Sequence, residues 1–558
     1  MTRNRQRRHW AVAVAVGALC ALPVAGYAAV ADGGPEGTDR IEESGGSTVT
    51  ASAPVVTTEN GKVRGGSNGA SRVFEGIPYA TPPVDDLRWK APRPAESWTG
   101  VRAATEPGPA CAQLPGELPD GSESEDCLYL NVTVPDRPGA ADQPRPVLVW
   151  LHGGGFFMGA GSNYDAKRMA ERGDVVVVTI NYRLGIFGNF AYPGLRDSGT
   201  FGLLDQQLAM RWVHHNIEAF GGDPDNVTMA GQSAGSMSSC AQLTSPGAVG
   251  LFDRAVTQSG SCRAEVPKNA SYRDQEAYSF FEPVAKLREQ GRQVGADLGC
   301  SVGSDGGDPL DCLRKLPVRK LMPQHQAFIK QAYGTRALPI APAAAVANGL
   351  FHRVPVLSGT TKNENMAYTS RYDDGEPITE RTLDEVMRES FGADEAAVRR
   401  EYPRGSYDNA AEMWSAITTD AQWSCQQYDT SADLAEHVSV YQYEFADPNP
   451  PALSPIPPKI DVGAQHASDL WSFFDIGGYA PDFTPEQRQL SDRMIDYWTN
   501  FATDGDPNGH GLQDWPRFDL AENAGETAYT QSLAPGRDGI GPVDLAAEHH
   551  CGFWSEQR

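Results

Sequence analysis

The chain has 558 residues, of which 40% are hydrophobic and 21% are charged, so it is long enough to bury a large core. Its formal net charge of −25 argues against nucleic acid or an anionic membrane as a partner, because both are themselves negatively charged. Neither C-x-x-C nor H-E-x-x-H occurs, so we expect no metal and no cofactor.

The first 31 residues have the three parts of a secretory signal peptide. Four arginines lie within the first eight residues, an apolar run covers residues 10–25, and small residues end the segment at Ala31. The apolar run of about 16 residues is shorter than the roughly 20 that a membrane span requires. We therefore predict cleavage near Ala31 and secretion without a membrane anchor. The sequence leaves open whether export follows the general or the twin-arginine route.

Residues 32–52 are rich in small and acidic residues without an apolar period, which indicates a flexible leader. Residues 53–558 are predicted to form a single domain in which apolar strands alternate with helices. That alternation is typical of an α/β fold, with a central, mostly parallel twisted sheet and helices on both faces. The more polar stretches 263–350 and 372–460 are interpreted as helical cap insertions. The predicted elements are strands at 145–151, 174–182 and 226–230 and a helix at 202–220.

The pattern G-x-S-x-G occurs three times, around Ser67, Ser233 and Ser301. Ser67 and Ser301 lie among loop-forming residues that account for their glycines. Ser233 follows the predicted strand 226–230 and precedes a predicted helix. This order is typical of a nucleophile elbow, in which a sharp turn lifts the serine oxygen above the sheet and the glycines leave room in the turn. We therefore predict that Ser233 is a nucleophile.

A second motif, H-G-G-G-F at residues 152–156, comes directly after the apolar run 145–151. Loops of this type supply backbone N–H groups to an oxyanion hole. A phosphate-binding or merely flexible loop is the alternative, but no G-K-[ST] sequence follows. The two motifs together, in this order, favour a hydrolase more strongly than either does alone.

Further segments resemble those of a known family. They are FEGIPYATPPVDDLRW (74–89), SEDCLYLNV (124–132), NYRLGIFG (181–188), FDRAVTQSGS (252–261), GTTKNENMAY (359–368), GAQHASDL (463–470) and YWTNFATDGDPN (497–508). With the two motifs above, nearly all of residues 55–556 resembles the type-B carboxylesterase family of α/β-hydrolases. That family also includes lipases, cholinesterases and the non-enzymatic neuroligins.

The resemblance implies an α/β-hydrolase fold, and it implies functional residues position by position. It assigns a triad to Ser233 as nucleophile, Glu364 as acid and His466 as base. It assigns the oxyanion hole to the amides of Gly154, Gly155 and Ala234.

The residues themselves give less specific support for the acid and the base. His466 lies in a small-residue loop downstream of the nucleophile, and Glu364 follows a predicted strand at 354–359, so the order Ser, acid, His is preserved. The sequence departs from the family at 363–365, where N-E-N replaces the common D-E-G. The geometry of this turn can therefore differ from that of the family. Asp469 is the alternative acid, although we interpret it as a supporting residue.

Eight of the nine cysteines remain once the signal peptide is removed, and an even number in an oxidising compartment favours disulfides. The resemblance implies the bridges Cys111–Cys127 and Cys300–Cys312 and the ion pairs Arg88–Glu125 and Arg183–Asp205. Three pairings are open to the other four cysteines, and we favour Cys240–Cys262 with Cys425–Cys551.

The expected function is therefore that of a secreted serine carboxylesterase acting on small-molecule esters through an acyl-enzyme. A lipase-like or amide-cleaving hydrolase of the same fold and a non-catalytic binding module are the alternatives. The resemblance implies that a cholinesterase would carry a tryptophan in the first disulfide loop to hold the choline cation. The segment 112–126 contains no tryptophan, so choline esters are disfavoured as substrates. The acyl and alcohol groups and the oligomeric state are not readable from the sequence.

Overall fold

The structure is a computed structural model that describes six stretches of the chain. They are residues 53–67, 70–136, 144–301, 307–454, 457–519 and 528–557. The predicted signal peptide and leader, residues 1–31 and 32–52, lie outside these stretches. Within them, no helix is both long enough and apolar enough to cross a membrane.

Eleven strands form the central sheet. In chain order they are β1 (Gly66–Ser67), β2 (Ser71–Pro78), β3 (Tyr129–Pro135), β4 (Arg145–Leu151), β5 (Val176–Ile180), β6 (Gly222–Gln232), β7 (Arg254–Gln258), β8 (Val356–Thr361), β9 (Val440–Phe445), β10 (Thr530–Leu533) and β11 (Ile540–Val543). Their order across the sheet is β11-β10-β9-β8-β7-β6-β4-β5-β3-β2-β1. The strands from β10 to β5 in this order are parallel, and those at both ends are antiparallel.

Four smaller sheets surround the central one. Their strands are Val55–Thr58 with Gly61–Arg64 and Val101–Ala103, Tyr164–Asp165 with Asp475–Ile476, Glu265–Val266 with Tyr278–Ser279, and Phe281–Pro283 with Gln331–Tyr333.

Helices fill the connections between strands. The α-helices are α1 (Lys167–Gly173), α2 (Gly185–Asn189), α3 (Phe201–Asn216), α4 (Ala234–Leu243), α5 (Val284–Asp297), α6 (Pro309–Arg314), α7 (Val318–Leu321), α8 (Pro342–Ala347), α9 (Met366–Thr369), α10 (Glu380–Phe391), α11 (Glu395–Glu401), α12 (Ala410–Thr419), α13 (Cys425–Ala435), α14 (Pro485–Asp504), α15 (Leu545–Glu548) and α16 (Cys551–Gln557). Short 3₁₀ segments are Asp85–Leu87, Gly161–Asn163, Ile217–Phe220, Pro246–Ala248, Met322–Phe328, Gly392–Asp394, Arg404–Ser406 and Ser468–Ser472. A π-helical turn, Asp420–Ser424, joins α12 to α13.

The central strands bury both of their faces, and their side chains divide between two hydrophobic cores. On β4, Val147 and Val149 belong to one core, which contains residues of α3 and α4. The intervening Leu148 and Trp150 belong to the other core, with residues of α1 and α14. Successive side chains of a strand point to opposite faces of the sheet, so a strand covered on both sides is apolar throughout. The predicted sheet with helices on both faces is therefore present.

Strand β9 was not predicted, because residues 372–460 were interpreted as a helical insertion. Its sequence, VYQYEF, contains Gln442 and Glu444, which gives it the alternating polarity of a half-exposed segment beside a Pro-rich loop. In the structure it lies between β8 and β10, third from one edge of the sheet, and all six residues are buried. The interpretation of this part of the range as a cap insertion was wrong, because the strand is buried although it carries two polar residues. Glu444 is paired with His549, whereas neither polar side-chain atom of Gln442 has a hydrogen-bond partner among the described residues.

Four disulfides cross-link the described chain. The pairs are Cys111–Cys127, Cys240–Cys262, Cys300–Cys312 and Cys425–Cys551. They match the two bridges implied by the family resemblance and the two that we favoured among the remaining cysteines. The last bridge spans 126 residues of sequence and ties the C-terminal helix α16 to the start of α13.

The two expected ion pairs are also present. The guanidinium of Arg88 donates to both carboxylate oxygens of Glu125, with an Nε–Oε1 distance of 2.7 Å. The side chain of Arg183 makes two hydrogen bonds of 2.7 Å to Asp205, whose carboxylate also accepts from the Arg183 amide. Planar, two-point pairing of this kind fixes the relative orientation of the segments that it joins.

A buried histidine lies between two carboxylates beneath the C-terminal helices. His549 Nδ1 is 2.5 Å from Asp420 Oδ1, and its Nε2 is 2.6 Å from Glu444 Oε1. The Tyr402 hydroxyl donates to the second oxygen of Asp420 at 2.7 Å, and the Lys362 ammonium lies 3.9 Å from Glu444. Burial alone lowers the pKa of His549, but the two carboxylates outweigh it and raise this pKa to about 10. The imidazolium therefore compensates the negative charge of the buried Asp420 and Glu444 carboxylates.

Replacing this cation should destabilise the protein in a pH-dependent way. The folded pKa of His549 lies above the unfolded value of 6.5, so its contribution is complete below pH 6.5 and is lost as pH rises through about 10. We expect His549→Gln to lower the free energy of unfolding by about 3–5 kcal/mol near pH 7, since it leaves two buried carboxylates uncompensated. Urea unfolding from pH 6 to pH 10 measures both effects.

The exposed His510 provides the control, because His510→Gln changes the same side chain outside the core. Between pH 7 and pH 10 the wild type should lose stability more steeply than His549→Gln does. If the stability of the wild type and that of His549→Gln fell in parallel with pH, the assigned role of His549 would be contradicted.

Candidate active site

Ser233 occupies the turn between strand β6 and helix α4. Its backbone has φ 55° and ψ −121°, a strained conformation for a residue with a side chain. Such a residue costs about 1–3 kcal/mol and persists only where its surroundings enforce it. Here the Ser233 amide donates to the Gln258 carbonyl at 2.9 Å, and its own carbonyl accepts from Met237 at 2.9 Å. The serine side chain is partly exposed at the end of the strand.

The two glycines of the motif are required by close packing. A Cβ on Gly235 would overlap the carbonyl oxygen of Leu151 in β4, and a Cβ on Gly231 would lie 2.5 Å from the Gly235 backbone. Helix α4 can therefore begin directly over the ends of β4 and β6 only without these side chains. The turn at Ser233 is thus specified by its neighbours.

The other two matches to the pattern lie in different surroundings. Ser67 ends the short strand β1, which pairs antiparallel with β2. Ser301 directly follows the disulfide-bonded Cys300 and is exposed. Neither serine lies at the carboxyl end of a parallel strand.

Glu364 and His466 are joined by a short hydrogen bond. The distance between His466 Nδ1 and Glu364 Oε2 is 2.5 Å, and the other carboxylate oxygen of Glu364 accepts from the Thr361 amide at 2.8 Å. Glu364 follows strand β8 and is fully buried, whereas the His466 side chain is 13% exposed. The ring of Trp423 packs against the imidazole with 4.5 Å between centroids. The Thr361 amide therefore orients the carboxylate and the Trp423 ring orients the imidazole, which is partly exposed.

The N-E-N sequence at 363–365 forms a turn without glycine. Asn365 has φ −88°, which any residue adopts, and its side-chain oxygen accepts from the Trp423 indole at 2.9 Å. The side-chain oxygen of Asn363 accepts from the Ala464 amide at 3.2 Å, two residues before His466. Both asparagines thus connect the Glu364 loop to the groups around the histidine, and with N-E-N in place of D-E-G the carboxylate reaches His466.

The histidine also contacts the serine turn. His466 Nε2 is 3.2 Å from the side-chain nitrogen of Gln232, the residue immediately before Ser233. Among the described hydrogen bonds, His466 Nε2 takes part in this one and none to Ser233. The structure therefore brings Ser233, Glu364 and His466 together at one place, with Gln232 between the turn and the ring.

The glycine loop lies against the same turn. A Cβ on Gly153 would be 3.3 Å from the Ser233 Cβ, so the loop and the serine are in direct contact. Gly154, Gly155 and Phe156 all have positive φ, at 93°, 60° and 65°. In the described part of the chain, no group accepts a hydrogen bond from the amides of Gly154 or Gly155. Ala234, the third expected donor, is the first residue of helix α4.

Two buried side chains that the sequence did not reveal hold the far end of this loop. Gln113 pairs its amide group with the backbone of Gly159, donating to the carbonyl and accepting from the N–H at 2.9 Å each. His325 Nε2 lies 2.8 Å from the Phe157 carbonyl, and burial lowers the pKa of His325 to about 4, so the ring stays neutral. Gln113 lies inside the loop closed by Cys111 and Cys127, and this position could have marked it as a candidate from the sequence. His325 is 168 residues from Phe157, and no sequence pattern links them.

Asp469, the alternative acid, is engaged elsewhere. Its Oδ2 accepts from the Gln258 side chain at 2.9 Å and from the Tyr443 hydroxyl at 3.1 Å. Burial raises the pKa of Asp469 to about 6. No hydrogen bond joins it to His466 among the described contacts, whereas Glu364 makes one. The geometry therefore favours Glu364 as the partner of the histidine.

No group of three or more His, Cys, Asp or Glu side chains within the described stretches is arranged to hold a metal ion. The chemistry available here is that of a serine, an imidazole, a buried carboxylate and free backbone amides. This set matches a hydrolase that acts on a carbonyl group.

The chain belongs to the carboxylesterase family, since the sequence model of that family matches residues 52–553. It is a carboxylic ester hydrolase with the α/β-hydrolase fold. It is 35% identical to the para-nitrobenzyl esterase of Bacillus subtilis over 83% of this chain and 92% of that protein. It is 33% identical to the medium-chain fatty acyl-CoA hydrolase precursor of Anas platyrhynchos over 87% of this chain and 90% of that protein. A solved thermophilic pNB esterase matches with a TM-score of 0.72 and 31% identity, over 90% of this chain and all of that one.

The close contact at the serine turn gives a test of its architecture. We expect Gly235→Ala to lower the free energy of unfolding by roughly 3 kcal/mol, because the added methyl group meets backbone that has no room to move. Gly552→Ala is the matched control: this glycine lies in α16 with nothing within 4 Å of an added Cβ. Urea unfolding midpoints compare the two. Equal midpoints would show that α4 does not pack on β4 as closely as described.

Proposed function

We propose that the chain is a secreted serine carboxylesterase whose catalytic triad is Ser233, His466 and Glu364. The observation that carries the proposal is the strained Ser233 turn next to a histidine that is hydrogen-bonded to a buried carboxylate. A strained serine persists where its neighbours enforce it. The contact of His466 with Gln232, the residue before Ser233, supports its assignment as the base. These three residues have the roles that acyl transfer requires.

In the first half of the reaction, the serine becomes acylated. Ser233 Oγ attacks the ester carbonyl carbon while its proton passes to His466 Nε2. The bond between the carbonyl carbon and the alcohol oxygen then breaks, and His466 returns the proton to the departing alcohol. Glu364 accepts from Nδ1 throughout, which fixes the tautomer and stabilises the imidazolium.

In the second half, water releases the acid. His466 takes a proton from the water, whose oxygen attacks the acyl carbon, and the proton is returned to Ser233 as the acyl–serine bond breaks. No further reactant is needed, because ester and water become alcohol and acid.

The oxyanion is assigned to the amides of Gly154, Gly155 and Ala234. The positive φ values of the glycine loop, its contact with Ser233 and its unengaged amides support this role. The N-terminus of α4 adds a favourable field for negative charge. Each such donor is worth about 3 kcal/mol in related acyl-transfer enzymes.

Secretion and domain organisation complete the proposal. Residues 1–31 are assigned as a cleaved signal peptide, 32–52 as a leader and 53–558 as one catalytic domain. The four disulfides in the described chain support an oxidising destination. The substrate class is small-molecule carboxylic esters.

Graded p-nitrophenyl esters of increasing acyl length test the catalytic assignment on the mature protein. We expect wild-type activity to depend on chain length and Ser233→Ala to lose roughly 10⁶-fold in kcat. Glu364→Gln should lose roughly 10⁴-fold, because the amide supports the wrong histidine tautomer. Ser301→Ala and Ser67→Ala are matched controls, since both serines lie in the same sequence pattern, and they should retain wild-type kcat. Undiminished activity in Ser233→Ala would overturn the assignment.

Export is tested by the mature N-terminus. In a bacterial host that carries out both export routes, the culture medium should contain protein that begins directly after Ala31. N-terminal sequencing and intact mass identify the cleavage point. Retention of residues 1–31 in membrane-bound protein would contradict secretion.

A further inference from the structure

The side chain of Gln232 lies between the His466 ring and the glycine loop. It belongs to the last residue of β6 and is 2% exposed. Its nitrogen is 3.2 Å from His466 Nε2. Its oxygen lies 2.9 Å from the point that a Cβ on Gly153 would occupy, so it faces the glycine loop. No triad or oxyanion role accounts for this placement.

The direction of the hydrogen bond follows from the carboxylate on the other side of the ring. Nδ1 of His466 donates to Glu364, so in the neutral ring Nε2 carries the lone pair. A lone pair requires a donor opposite it, and the NH₂ group of Gln232 supplies one. The reverse amide orientation would place two acceptors face to face.

We propose that Gln232 is a positioning residue: its amide donates to His466 Nε2, holds the ring in the proton-accepting tautomer before substrate binds, and yields this nitrogen to Ser233 when reaction begins. This inference rests on the proposed function, since it assigns Gln232 a role through the proposed base. The other groups that face the ring are Glu364, Trp423 and the carboxylate of Asp469.

An amide donor at this position discriminates between the two charge states of the histidine. It stabilises the neutral ring, because only that ring offers a lone pair at Nε2. Once the serine proton has arrived, Nε2–H and the NH₂ group of Gln232 are both donors and no longer bind each other. The proton of His466 is then directed to the leaving alcohol. A carboxylate at position 232 would do the opposite, since it would accept from Nε2–H and stabilise the charged ring.

Two substitutions separate hydrogen bonding from packing. Gln232→Met preserves the length of the side chain and removes the donor. Gln232→Glu preserves the shape and replaces the donor with an acceptor. On p-nitrophenyl acetate we expect the acid limb of the kcat/KM profile to move to higher pH by about one unit in Gln232→Glu, and by less in Gln232→Met. A role in packing alone would lower activity without moving the limb.

Nitrogen-15 NMR of histidine-labelled protein supplies a readout that does not depend on activity. The His466 ring signals are assigned by their loss in His466→Asn. In the Ser233→Ala background at pH 8, Nε2 should show the shift of an unprotonated nitrogen that accepts a hydrogen bond. When the pH is lowered, this nitrogen should become protonated about one pH unit earlier in Gln232→Glu than in the protein with Gln232 intact.

The outcomes distinguish the two proposals. A protonated Nε2 in the unliganded protein with Gln232 intact would overturn the inference without any substitution at that position. An unmoved acid limb and unchanged nitrogen shifts in a folded Gln232→Glu protein would also overturn it. Activity that persists in Ser233→Ala would instead overturn the proposed function, and the nitrogen shifts would still report on the contact between Gln232 and His466.

Discussion

The strained backbone of Ser233 is the constraint on which the rest of the site depends. A side chain at φ 55° is held only because β6 passes directly into α4, with no room for a methyl group at Gly231 or Gly235. The same close packing brings the glycine loop against the serine. One unfavourable conformation therefore defines both where the proposed nucleophile projects and where the proposed backbone donors can lie.

Around that turn, the site is assembled from parts that are distant in sequence but share one edge of the parallel sheet. Ser233 follows β6 and Glu364 follows β8, while His466 lies in the loop beyond β9. Parallel strands end at the same edge, so side chains that follow them meet there. The loops are then fixed to each other by side chains such as Asn363 and by the Trp423 ring, rather than by regular secondary structure.

Local signals made the serine turn and the glycine loop predictable from the sequence, because each depends on a few adjacent residues. Glu364 and His466 were assigned chiefly through the family resemblance, since carboxylates are common and neither residue lies in a distinctive local pattern. Strand β9 was missed because Glu444, which gives it the pattern of a half-exposed segment, is buried against His549, 105 residues further along the chain. The same holds for His325 and Gln232, whose roles depend on three-dimensional contacts that no spacing encodes.

The π-helical turn Asp420–Ser424 links His466 to helix α16. Trp423 packs on His466, Asp420 is bound by His549, and the adjacent Cys425 is bonded to Cys551. The surface on which the imidazole rests is thus anchored by His549 and by the Cys425–Cys551 disulfide. The support is complete only when two cysteines 126 residues apart have been joined by oxidation of their thiols. The redox state of one distant bridge is therefore coupled to the order of the surface beneath the His466 ring.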